Sequence, residues 1–141
     1  MTQEKPLCYV AHAVRGDVWG NIAKGKRIIG ALTQRHPSKL FVAPWIYECE
    51  IFDDSNDEQR QAGLLRCMAF VRRCDQIWLC GERMSAGMQE EWSAAINSGK
   101  TIVDLIDYAP CSHNMTSLEG YKEWFYCCGG GREQSTKEGD T

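Results

Sequence analysis

The chain has 141 residues, 43% of them hydrophobic and 25% charged, with a formal net charge of −3. That length fits one domain able to bury its own apolar core. The acidic balance, broken only by the short basic stretches 24–27 and 72–73, lacks the charge footprint of a nucleic-acid binder. Residues 1–6 are polar and do not read as a secretory leader, and no apolar run approaches a membrane span, so no membrane association and a cytoplasmic location are expected.

Residues 7–14 form a nearly continuous apolar run, the pattern of a strand buried on both faces. Arg15, Gly16 and Asp17 break it, and residues 18–35 read as a helix with Ile22, Ile28, Ile29 and Leu32 inward, stopped by Pro37. A short strand is expected over 40–43, ended by Pro44, followed by an irregular aromatic and acidic segment over 45–54. Ser55 to Glu58 has the form of a capping box. It opens a helix running to about Cys74, with Leu64, Leu65, Met68 and Val71 on one face. Residues 76–80 read as a third strand and 86–98 as a helix with Met88, Trp92, Ala95 and Ile96 inward, stopped at Gly99. Residues 101–106 read as a fourth strand.

This alternation predicts an α/β fold: a single three-layer domain with a parallel sheet of four or five strands and right-handed crossovers. Residues 1–107 form the core, 108–128 an extension packing on the core or on a partner subunit, and 129–141 a Gly-rich polar tail read as disordered. The eight cysteines contain no Cys-x-x-Cys, which argues against a zinc site. Most read as reduced core thiols; the pair Cys127 and Cys128 has no assignment. No metal and no cofactor are expected.

In open parallel sheets ligands bind beyond the carboxyl ends of the strands. That rule gathers residues 13–17, 44–47 and 81–85 around one cleft. Ser85 at a helix start, with Gly87 and Met88 behind it, leaves backbone N–H groups and the positive end of the helix dipole facing an anion. Glu91 flanks the buried face of that helix, where a carboxylate can serve as a nucleophile or acid/base group. An ordinary cap and an ordinary acidic first turn account for the same residues. Arg15 and Gly16 at the end of the first strand can hold a phosphate, and Tyr9 offers a hydroxyl. As plain structure, Tyr9 and His12 read as core residues and Arg15 as a surface charge. Trp45 and Tyr47 can stack on a base, and Glu48, Asp53 and Asp54 can take sugar hydroxyls. Trp45 packing over the sheet edge, and Arg60 pairing with Asp53 or Asp54, are the structural counterparts.

Three segments, 9–16, 74–81 and 85–92, together with the stretch from Ala43 to Arg60, resemble the nucleoside 2-deoxyribosyltransferase superfamily, above all its small phage-encoded members. The resemblance covers about residues 7–106, and the Ser85-Ala86-Gly87-Met88 run followed by Glu is its most specific part. It implies a flavodoxin-like fold, a homo-oligomer, and transfer or hydrolysis at the N-glycosidic bond of a nucleoside or nucleotide. By this resemblance Glu91 is the catalytic carboxylate and Tyr9 its strand-one tyrosine. Arg15, Gly16 and Ser85 become the phosphate contacts. Around them, from their places at the strand ends and the helix start, His12, Trp45, Tyr47, Asp54, Gly87 and Met88 are expected to complete the ligand site. The active enzymes carry an Asp that helps the base leave, and near that position this chain has Cys67. The alternative is therefore a non-catalytic sponge that sequesters a nucleotide-derived defence signal.

Overall fold

The computed structural model describes residues 4–106 and 135–136. Strand β1 (Leu7–Ala11) carries side chains that are buried from Cys8 onward, and it lies inside the sheet with a parallel neighbour on each side. The neighbours are β2 (Leu40–Val42) and β3 (Gln76–Leu79), with Tyr9 opposite Val42 on one side and Ile77 on the other. Beyond β3 lies β4 (Thr101–Asp104), also parallel, and the two-residue β5 (Ser135–Thr136) pairs antiparallel with Ile102 and Val103. The sheet order is β2-β1-β3-β4-β5.

Helix α1 (Val18–Arg35) connects β1 to β2 in one direction, whereas α3 (Asp57–Arg73) and α4 (Ala86–Asn97) carry the chain back the other way. With right-handed crossovers α1 therefore covers one face and α3 and α4 the other. This is the expected three-layer α/β domain with four parallel strands. No helix among the described residues is long and apolar enough to cross a membrane.

Local signals position the helices. Asp17 caps α1 by accepting from the Gly20 N–H at 3.0 Å. The inward stripe is Ile22, Gly25, Ile28, Ala31 and Leu32, with Ile29 packed beside it. Asn56, not Ser55, caps α3, accepting from the Gln59 N–H at 3.1 Å. Asp57 and Glu58 follow in the first turn and Arg72 and Arg73 close the last, all favourable to the helix dipole. The buried face of α3 is Gly63, Cys67 and Val71, which leaves Leu65 exposed.

Another expectation fails over most of its length. Residues 45–51 are not irregular: Pro44–Ile51 forms helix α2, with Pro44 in its first turn, where a missing N–H costs nothing, and only 52–54 stay irregular. Of the residues expected beyond the core, Ser135 and Thr136 are paired in β5; the remainder of 107–141, with Cys111, Cys127 and Cys128, lies outside the described residues. Cys8, Cys49, Cys67, Cys74 and Cys80 are free thiols, all but Cys49 buried.

Trp45 of α2 fixes how α1 and α2 meet. A Cβ placed on Gly25 would lie 2.7 Å from two ring carbons of Trp45. Alanine in a helix interior ordinarily gains up to about 1 kcal/mol over glycine, but overpacking a rigid ring costs about 1–3 kcal/mol. Gly25→Ala is therefore expected to lower the urea-unfolding free energy by about 1 kcal/mol or more; a gain would show that the ring does not fill that notch.

Candidate functional site

A cavity of about 290 Å³ opens at the carboxyl ends of β1 and β3, walled by α2, α3 and the start of α4. Helix α4 begins at a closed cap: the Met88 N–H donates to Ser85 Oγ at 3.2 Å and the Ser85 N–H to the Met88 sulfur at 3.5 Å. The cap sets the rotation of α4, which buries Met88, Glu91, Ala94 and Ala95. Glu91 is thereby turned inward one turn below the cap and lines the cavity while only 4% exposed.

Behind Glu91 stands Tyr9, fully buried on β1, whose hydroxyl donates to Glu91 Oε2. Burial pushes the Glu91 carboxyl up to about 8, against the pull of the Tyr9 hydrogen bond, so at neutral pH it is mostly protonated. Tyr9 is raised well above the ordinary phenol range, first by its own burial and then by the neighbouring carboxylate. Cys67 of α3 faces the same pair from the cavity wall, and burial, with the charge of Glu91, pushes its thiol up to about 12. A thiol this reluctant to ionise supplies no ready proton to a departing group.

The opposite wall is aromatic. His12 and Trp45 stack with their centroids 6.0 Å apart and their planes 16° from parallel. The Trp45 ring N–H donates to the Val10 carbonyl at 2.8 Å. His12 Nδ1 lies 2.7 Å from the Ala13 carbonyl, and burial lowers the ring below its ordinary value, which keeps it neutral. Gly81, at φ +99, leaves room for that ring: a Cβ there would meet it at 2.9 Å.

The mouth is charged. Arg15 lies 3.4 Å from Asp57 and 3.9 Å from Asp54, while Arg60 lies 3.5 Å from Asp54. Of the two pairings expected for Arg60, with Asp53 or with Asp54, the structure has the second. Glu48, buried on α2, is held by Arg66 Nε at 3.0 Å from both of its oxygens.

The cavity thus brings together His12, Arg15, Trp45, Asp54, Ser85, Gly87, Met88 and Glu91. Tyr9 does not line it and reaches it through Glu91. Gly16, at φ +100, lines an adjoining depression with Trp19 and Asp54 instead. Tyr47 is 68% exposed and is not a lining residue, because α2 turns Trp45 and Glu48 inward and Tyr47 out. Cys49, Phe52 and Arg83 also line the cavity with no site signal in the sequence, as does Leu64, expected only on the apolar face of α3. A regular α2 would have marked Cys49 as one turn beyond Trp45; nothing in the linear pattern marks Arg83. No group of three or more His, Cys, Asp or Glu side chains among the described residues is placed to hold a metal ion.

The family model of a domain of unknown function, DUF7768, matches residues 6–105. No curated protein and no solved structure matches the chain.

Proposed function

We propose, for a chain that belongs to the DUF7768 family, that the cavity binds a nucleoside or nucleotide and that Glu91 acts at the anomeric carbon of its sugar. The observation that carries this reading is a carboxyl group buried at the cavity wall with a tyrosine hydroxyl, not a cation, as its partner. A carboxyl held this far out of water without a counter-charge is costly as structure and useful as chemistry. The aromatic wall of His12 and Trp45 suits a flat ring, and the charged mouth suits a polar tail. The resemblance of segments 9–16 and 85–92 to the deoxyribosyltransferases supports the same assignment.

In the proposed step the ionised Glu91 attacks C1′. The bond from C1′ to the base nitrogen breaks, and its electron pair leaves with the base, which takes up a proton from water. Water, or a second base in a transfer, then displaces the ester and restores the carboxylate. Attack needs the ionised form, so base release is expected to rise with pH and level off above about 8.

A second reading has an observation of its own. By the resemblance, the acid of the related enzymes, an Asp, falls near Cys67, which lines the cavity here and whose thiol is held far from ionisation. Without that Asp to help the base leave, the same cavity holds its ligand intact, as a sponge would. Incubation with 2′-deoxynucleosides and their 5′-monophosphates, followed by denaturation and chromatography, separates the two. Free base in the supernatant supports cleavage and intact ligand released on denaturation supports sequestration. Neither base nor bound ligand rejects both.

A further inference from the structure

The cavity wall carries three guanidinium groups, Arg15, Arg60 and Arg83, and three carboxyl groups, Glu48, Asp54 and Glu91. Their charges do not cancel evenly. Glu48 is matched by Arg66, which approaches from outside the cavity at 3.0 Å. Asp54 is shared by Arg60 at 3.5 Å and Arg15 at 3.9 Å, and Arg15 also faces Asp57 at 3.4 Å. Glu91 has no cationic partner and, buried as it is, carries its proton at neutral pH. His12 is neutral, and Cys49 and Cys67 stay as thiols, each raised by burial. Arg83 remains. It is exposed, lines the cavity, and has no hydrogen bond or ion pair with any described residue. On a chain of net charge −3, the uncompensated charge of this wall is positive and sits on one side chain.

We infer that Arg83 holds the anionic end of the ligand, and that the ligand class is a phosphorylated nucleoside. This inference rests on the nucleoside reading above and narrows it. Arg83 stands in the turn just before α4, three residues ahead of Ala86, where the first amides of the helix precede its first intrahelical bond, Gln89 N–H to Ser85 O at 2.9 Å. A phosphate beside Arg83 meets a planar fork of donors whose geometry fits its oxygens. Arg15, the phosphate contact implied by the resemblance, is already engaged by two carboxylates and must give them up to do the same work. The two ends of the cavity then differ in kind: a neutral carboxyl for the sugar, an uncommitted cation for the phosphate.

Calorimetric titration of the full chain tests this with two matched pairs, thymidine against thymidine 5′-monophosphate and deoxyadenosine against its 5′-monophosphate. The wild type is expected to bind the preferred monophosphate at least about tenfold more tightly than its nucleoside. Arg83→Ala is expected to lose about 10- to 100-fold on the monophosphate and less than about twofold on the nucleoside, with Arg15→Ala losing less. Inorganic phosphate is expected to compete with the monophosphate in the wild type and not in Arg83→Ala. A wild type that binds the nucleoside as well as its phosphate overturns the inference. So does an Arg83→Ala variant that weakens both alike or neither, or a preference lost in Arg15→Ala alone. If no nucleoside and no monophosphate binds, the pocket reading itself has failed and Arg83 is not at issue.

Discussion

Under the proposed mechanism, Glu91→Gln is expected to abolish base release while leaving ligand affinity within a few-fold of wild type. The amide keeps the shape of the side chain and still accepts from Tyr9, but it cannot form the ester at C1′. Loss of a nucleophile of this kind is expected to cost about a thousandfold or more in turnover. Retained release would end the proposed mechanism. The same substitution carries a stability signature that does not depend on any ligand. The ordinary value of the group is 4.5, and the folded chain raises it to about 8. Below 4.5 both states hold the proton. Between 4.5 and about 8 the unfolded chain releases it and the folded chain keeps it, so stability falls as pH rises, by up to about 1.4 kcal/mol per pH unit. Above about 8 the loss levels off. Glu91→Gln, with nothing to titrate, is expected to flatten that slope and to exceed wild type in urea resistance at pH 8 by several kcal/mol. Groups around Glu91, namely Tyr9 from β1, Cys67 from α3 and Glu48 and Cys49 from α2, are common to both proteins, so the difference reports Glu91. Parallel pH profiles for the two would show that the carboxyl is not desolvated.

Trp45→Ala is expected to destabilise the fold by about 3–5 kcal/mol, the range for removing a buried aromatic ring. The ring is 3% exposed, fills the notch at Gly25, stacks on His12 and donates to the Val10 carbonyl. Its loss removes one wall of the cavity together with the tie between α2 and β1. Trp45→Phe separates these roles: it keeps a ring against Gly25 and loses the hydrogen bond, at a cost of about 0.5–1.5 kcal/mol. Urea midpoints measure both, and equal midpoints for Ala and Phe would show that the ring's packing contributes nothing.

The fold was largely legible because its signals are local. The apolar run from Leu7, the stripe Ile22, Ile28 and Leu32, and the stop at Pro37 each act within a few residues. Helix α2 was not legible, because from Pro44 to Ile51 apolar residues surround the helix and give no single face: Trp45 and Ile46 are buried while Tyr47 and Ile51 are exposed. The sequence pattern puts Glu91 at the flank of α4, because Trp92 and Ile96 draw the expected face toward themselves. The cap at Ser85 and the hydroxyl of Tyr9 rotate that face by about a residue, and Trp92 and Ile96 are only partly buried. Arg83 could not be read at all. Its role follows from which other charges have partners, and those partners come from α2, α3 and the turn before α3.

The two edges of the sheet are not alike. Along β4 the outer hydrogen-bonding groups of Ile102 and Val103 face Ser135 and Thr136. At the other side β2 offers three residues, with Lys39 before them and Pro44 two positions after. A strand so short, flanked by a cation and an imino acid, is a poor template for zippering one molecule to the next. Of the described strands, the paired β4 and the three-residue β2 leave little bare backbone for one molecule to extend into the next.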